Sequence, residues 1–251
     1  METGMERQRY ADKRLGIVCP VANEEQTIEA FIEEVLAVCG SFHFARLQFF
    51  VILDHASTDN TLAIARALDA AQGPVRLVWA PENRSVADAY RRGYREAILA
   101  DCDWILEIDA GFSHQPRDIA GFLEQMAAGR DCVFGSRFAG GGYFERSAVK
   151  RRLLSKGGTV LANLLLGTKL TDMTGGFQCF TRKTLQEILA AGIHSRGPFF
   201  QTEIRFHAHR FDYAEVPIRY LNPSHRVKKE AVMEALRQLW RLYKTRRKGG
   251  R

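Results

Sequence analysis

The chain predicts an α/β domain built on a mainly parallel, doubly wound sheet with helices on both faces. Three observations carry this: short continuous apolar runs recur, each leads into a segment with apolar residues at helical spacing, and the runs close on proline or a carboxylate. Strands buried on both faces read as unbroken apolar runs, because crossover helices cover both sides. In such sheets ligands gather beyond the carboxyl ends of the strands.

Residues 15–20 are the first run, closed by Pro20, and Asn23, Glu24 and Glu25 then precede Ile28, Phe31, Ile32, Val35 and Leu36 at helical spacing. Residues 49–53 are the second run, ended by Asp54, and Ser57 to Thr61 open a helix carrying Leu62, Ala65 and Leu68. A third strand over 75–79 leads to a helix over about 86–99, and a fourth over 104–108 ends at Asp109. Pro20, Asp54 and Asp109 therefore face one crevice. A helix over 116–128 and a strand over 132–135 follow, and Gly140 to Gly142 mark a mobile connection. No P-loop lysine and serine follow those glycines, so they are not a phosphate loop.

The second half reads differently. Residues 150–166 are helical in pattern with a basic start, Gly175-Gly176-Phe177 is a turn, and Pro217 makes 214–220 an edge strand. Residues 227–243 predict a last amphipathic helix whose Val232, Met233, Leu236, Leu239, Trp240 and Tyr243 share one face. With its flanking Lys and Arg, that helix suits an anionic membrane surface and equally suits packing on the sheet with a solvated basic end.

At 251 residues, 46% hydrophobic and 26% charged, the chain suits one main domain over 15–230, with a polar leader over 1–14 and a C-terminal helix and basic tail over 231–251. A net charge of +7 and a pI near 9.3 favour partners that carry phosphate: nucleotides, lipid phosphates or anionic membranes. Nucleic acid is not expected, for no recognition motif or series of stacking aromatics accompanies the charge. Cys19, Cys39, Cys102, Cys132 and Cys179 form no C-x-x-C pair, which points to buried free thiols in a reducing compartment. No run approaches the roughly 20 apolar residues of a membrane span, so the expected setting is cytoplasmic, soluble or peripheral on the cytoplasmic membrane face. His207 and His209 lack a third ligand and do not read as a metal site.

Six segments then fall in a telling order. Pro20-Val21-Ala22-Asn23-Glu24 resembles P-x-Y-N-E, Asp54 to Thr61 resembles D-D-G-S-x-D-x-T, and Asp109 to Pro116 resembles D-A-D-x-x-H-x-P. Gly135-Ser136-Arg137, Lys150 to Gly157 and Asp172 to Phe177 follow. Together these resemble the family 2 glycosyltransferases of the GT-A fold, nearest the polyprenol (dolichol) phosphate mannosyltransferase branch, from about Leu15 to Lys229. The departures are Ala22 for an aromatic, His55 and Ala56 in the second motif, and Gly111 where the second carboxylate normally stands. Asn222 to Lys229 also departs from the family's R-x-x-G-x-S-K segment.

The resemblance implies an inverting transfer of a hexose, mannose or glucose, from GDP-mannose or a UDP-hexose to a polyprenyl or dolichyl phosphate or a related acceptor. It implies a nucleotide-sugar pocket of Pro20, Ala22, Asn23, Glu24, Asp54, Ser57, Asp109 and Ala110, with Gln201, Glu203 and Arg226 as further members. Asp54 by itself suits base or ribose contacts and equally suits a helix cap. Asp109, at a strand end, is a hard oxygen ligand for Mg²⁺ or Mn²⁺ bridging two phosphates, with Ser113 as helper. Arg137, Arg151 and Ser155 would hold the acceptor's phosphate, which is anionic at neutral pH and needs little help from a base. Contact with the membrane through the basic C-terminus is a further expectation. Gly111 also admits a catalytically impaired relative that binds a nucleotide sugar or a partner protein without turnover.

Overall fold

The computed structural model describes residues 9–144, 149–221 and 229–249. Strand β1 (Arg14–Pro20) pairs in parallel with β2 (Arg46–Leu53) on one side and β4 (Trp104–Glu107) on the other, and β2 pairs in parallel with β3 (Val75–Trp79). Helices α1 (Ile28–Gly40), α2 (Thr61–Ala70) and α3 (Val86–Leu99) make the crossovers. The winding reverses between β1 and β4, which opens a crevice beyond Pro20 and Glu107.

Beyond that point the sheet becomes mixed. Strand β7 (Gln178–Thr181) lies between β4 and β5 (Cys132–Ser136), antiparallel to both, and β8 (Tyr213–Pro217) closes the edge parallel to β5. The order among the described residues is β3-β2-β1-β4-β7-β5-β8. The edge run expected over 214–220 is broken at Ile218. Its N–H donates to Ser136 O at 3.0 Å and its carbonyl accepts from Tyr143 at 2.9 Å. Strand β9 (Arg219–Tyr220) therefore leaves the sheet and pairs in parallel with β6 (Tyr143–Phe144).

Alternate residues of each strand feed two cores. Phe49, Val51 and Leu53 face α1 and α4 (Ile119–Ala127), which Pro116 introduces through a short 3₁₀ turn, while Phe50 and Ile52 face α3. The second core also takes in α5 (Val149–Leu166), α6 (Arg182–Ala190), α7 (Phe200–Ala208) and α8 (Lys229–Gly249). Helix α3 lies so close to the sheet that a Cβ on Gly93 would stand 2.3 Å from Val18 Cγ1. All five cysteines are buried and free.

The apolar face expected on the last helix is turned outward except at Leu239. Leu239 and Leu242 are buried, whereas Val232, Met233, Leu236 and Trp240 are exposed. Polar anchors set this rotation: Arg241 donates to the buried Glu203 carboxylate, and Glu234 accepts from the Arg196 and Gly197 N–H groups at 2.7 and 3.0 Å. Helix α5 shows the same pattern, burying Thr159, Ala162 and Leu166 while exposing Leu153, Val160 and Leu164.

Candidate functional site

The loops after β1 and β2 are laced into one wall. Asn23 takes a left-handed conformation at φ 58°, and its side-chain oxygen accepts from Thr58 N–H at 2.8 Å while its amide donates to Ala56 O at 3.1 Å. Glu24 N–H donates to Thr61 Oγ1 at 2.9 Å, and Asp59 accepts from Glu25 N–H at 3.1 Å. Asp54 is engaged locally, accepting from Ala56 N–H at 2.8 Å. Thr27 Oγ1 donates to the Glu24 carboxylate. These bonds hold Glu24 at the mouth of the crevice beside Asp109, with both lining a cavity of about 380 Å³.

Asp109 is fixed from two sides. The buried Tyr90 hydroxyl donates to Oδ1, and Tyr90 is itself stacked on Phe200 at 4.9 Å. His114 Nδ1 accepts from the Asp109 N–H at 3.3 Å and stands 3.6 Å from Oδ2. Burial pushes the His114 imidazole down to about 4, so the ring is neutral and that approach is a polar contact rather than an ion pair. Stacking on Phe177 at 5.0 Å fixes the ring's plane.

Behind Asp109 lies a second carboxyl group. The alternation of β4 sends Glu107 to the same face as Ile105, where it is fully buried and receives the Tyr94 hydroxyl, the Gln178 amide at 2.7 Å and the Gln201 amide. Burial pushes its carboxyl up to about 8 despite those donors. Gln201 joins this buried network to the cavity, which it also lines.

The opposite wall is cationic. Arg137 is 5% exposed and grips Asp172 through Nε at 2.7 Å and Nη2 at 2.9 Å, with Thr174 Oγ1 at 2.6 Å. Tyr220, Phe144 and Phe138 surround the guanidinium at 5.2, 5.4 and 5.6 Å. Burial disfavours the Asp172 carboxylate, yet Arg137 and then Arg205 hold its carboxyl well below the usual range. Arg205 is buried too and donates to Asp172 O and Gly135 O. Asp172 and Glu215 balance Arg205 behind this wall, and the cavity itself is lined on this side by the guanidinium groups of Arg137 and of Arg151 from the first turn of α5.

Of the residues expected from sequence, Glu24, Asp109, Ala110, Ser113, Arg137, Arg151 and Gln201 line the cavity. Pro20, Ala22, Asn23, Asp54 and Ser57 stand at the ends of β1 and β2, in the wall beside Glu24, and Ser155 lies one turn beyond Arg151 on α5. Glu203 points away, its carboxylate taken by His194 N–H at 3.1 Å, Ser195 N–H at 2.8 Å and Arg241. Arg226 lies outside the described residues, as do Asn222 to Lys228. Tyr90 and Tyr94 were not singled out from sequence, and His114 only as the histidine of the Asp109 to Pro116 motif. The signal was present for the tyrosines: two at i and i+4 on the apolar face of one helix need buried hydroxyl partners.

The family model for glycosyl transferase family 2 matches residues 16–189. Polyprenol monophosphomannose synthase of Mycolicibacterium smegmatis is 27% identical over 211 residues, covering 83% of this chain and 77% of that protein. Undecaprenyl-phosphate mannosyltransferase of Micrococcus luteus is 31% identical over 173 residues, covering 68% of this chain and 71% of that protein. Among solved structures, glucosyl-3-phosphoglycerate synthase from Mycobacterium tuberculosis, in complex with Mn²⁺, uridine diphosphate and phosphoglyceric acid, superposes with a TM-score of 0.66 at 18% identity over 97% of this chain and 81% of that one. A crystal of the same synthase with Mg²⁺ and uridine diphosphate gives a TM-score of 0.64 at 18% identity, over 97% of this chain and 82% of that one.

Proposed function

Because the chain belongs to glycosyl transferase family 2, we propose that it transfers a hexose, with inversion, from a nucleoside diphosphate donor to a polyprenyl phosphate or a related phosphate acceptor. Its α/β sheet is that of the GT-A glycosyltransferases. Mannose from GDP-mannose is the leading donor sugar, and glucose from a UDP donor follows. The observation that carries the reading is one cavity with Asp109 and Glu24 at the crevice between β1 and β4 and with Arg137 and Arg151 opposite. Carboxylates suit the cation that accompanies a diphosphate, and forked cations suit an acceptor phosphate.

The acceptor phosphate is already an anion, so its oxygen attacks the anomeric carbon as the bond to the nucleoside diphosphate breaks, and no buried base has to be deprotonated first. One displacement inverts the centre. The chain's tasks are alignment and charge stabilisation. Arg137 is held by Asp172 and Thr174 before any ligand arrives, so its orientation costs little at the moment of binding. Arg151, which lines the cavity, and Ser155, one turn further along α5, would meet the acceptor.

Asp109 and Ser113 offer carboxylate and hydroxyl oxygens from one stretch of the cavity wall, a hard donor set that fits Mg²⁺ or Mn²⁺. Such an ion, when bound, offsets the charge that builds on the departing diphosphate. Tyr90 keeps the Asp109 carboxylate aimed, and His114 holds the Asp109 backbone N–H.

The exposed apolar residues of α5 and α8, with the basic residues around them, support peripheral contact at a cytoplasmic membrane face where a polyprenyl acceptor would reside. No helix among the described residues is long and apolar enough to cross a membrane. The catalytic unit in this reading is 15–230, with 1–14 as leader and 231–251 as tail.

A donor panel tests the proposal: GDP-mannose, UDP-glucose and related donors, with and without Mg²⁺ or Mn²⁺, scored by thermal shift and by transfer to a short polyprenyl phosphate. Metal-stimulated transfer from one donor is the expected result, and Asp109→Asn should lower it at least a hundredfold. Absence of donor binding by the folded chain would reject the reading. Binding without transfer would favour the impaired relative that Gly111 suggests.

A further inference from the structure

Gly111 removes a side chain from the cavity wall two residues after Asp109, and the space it leaves is filled. The backbone there is left-handed at φ 74°, and a Cβ built on Gly111 would lie 2.6 Å from Glu24 Oε1 and 2.8 Å from Oε2. No residue with a side chain at 111 fits while Glu24 keeps its place. The two carboxylates that line the cavity are Glu24 and Asp109, and neither is ion-paired with a Lys or Arg among the described residues. Two carboxylates sharing one cavity repel each other; Arg137 and Arg151 offset part of that charge across the cavity, and a cation held between the two would offset the rest.

Glu24 is also positioned rather than merely nearby. Its N–H is tied to Thr61 of the adjoining loop at 2.9 Å, its carbonyl accepts from Thr27 and Ile28 N–H at 3.0 and 2.9 Å, and its carboxylate takes the Thr27 hydroxyl. The last bond uses one lone-pair direction of a group that has about four. We propose that Glu24 supplies, from the next loop, the second carboxylate of the clamp that Asp109 begins, a role distinct from lining the nucleobase pocket. This rests on the reading of the cavity as the donor site. A residue with a longer side chain, reaching in from β1 rather than along the β4 loop, replaces the carboxylate that residue 111 does not provide.

The test is a reciprocal exchange read by Mn²⁺ binding, using electron paramagnetic resonance of free Mn²⁺ and calorimetry with GDP and UDP. Glu24→Gln keeps the shape of the side chain, and its circular dichroism and melting curve check folding. It should weaken Mn²⁺ binding in the presence of nucleoside diphosphate at least tenfold, and leave metal-free nucleotide affinity within about threefold. Gly111→Asp alone should not tighten Mn²⁺, because the new side chain displaces the Glu24 carboxylate as it adds its own. Glu24→Ala with Gly111→Asp should restore Mn²⁺ affinity to within about threefold of the parent, aspartate being among the residues that accept left-handed backbone. Unchanged Mn²⁺ affinity in Glu24→Gln, beside normal nucleotide binding, would overturn this inference alone. Equal loss of nucleotide affinity with and without metal would overturn it too and return Glu24 to the base pocket. A parent chain that binds neither GDP nor UDP would remove the donor-site reading beneath it.

Discussion

Glu107 sets the pH response at the scale of one residue. Its carboxyl is raised by burial from 4.5 to about 8, so between those values the folded chain holds a proton that the unfolded chain has released. Stability contributed by this group is therefore lost as pH rises through that window, by at most about 1.4 kcal/mol per pH unit. His114 works in the other direction: burial lowers it from 6.5 to about 4, so its contribution is lost as pH falls from 6.5 towards 4. Chemical denaturation at intervals from pH 5 to 8 should show Glu107→Gln gaining on the parent as pH rises. Parallel profiles for the two proteins would refute the assignment. The acidic strand end was legible in the sequence, but the role of Glu107 was not. Its partners Tyr94, Gln178 and Gln201 are 13, 71 and 94 residues away, and only the folded topology brings them to one point.

At the scale of elements, the parallel half of the sheet was readable because each strand is buried on both faces and each crossover helix shows its own period. The strand over 75–79 and the helix over 86–99 fall where the pattern put them. Strand β7 was not foreseen: four residues, Gln-Cys-Phe-Thr, carry too little pattern, and their state is decided by β4 and β5 on either side. The outward turn of α8 was likewise hidden, since the anchors Glu203, Arg196 and Gly197 belong to other segments. The close seat of α3 on the sheet has a measurable cost for substitution. Gly93→Ala would push a methyl group into Val18 and Ile52, and should destabilise the fold by about 1–3 kcal/mol although alanine is the better helix former. A melting temperature equal to or above the parent's would contradict that packing.

At the scale of the whole molecule, the cationic wall of the cavity and the outward apolar residues both involve α5. Leu153 and Leu164 are 66% and 76% exposed on that helix, and Trp240 is 53% exposed on α8, which packs against it. A net charge of +7 adds attraction to acidic headgroups. Co-sedimentation with vesicles should show stronger binding to acidic than to neutral phospholipid. Leu164→Glu combined with Trp240→Glu should reduce it at least fivefold while nucleotide binding stays unchanged. Equal sedimentation of parent and variant would separate those residues from any lipid role. One feature makes the orientation of such a complex directly accessible. The five thiols are all buried, and burial pushes Cys39 and Cys132 up to about 12, so none presents a reactive thiolate near neutral pH. The native chain is in effect a cysteine-silent background, and a single dye or spin label placed on α5 or α8 through one introduced cysteine would report depth and distance without first stripping the core of its own sulfur.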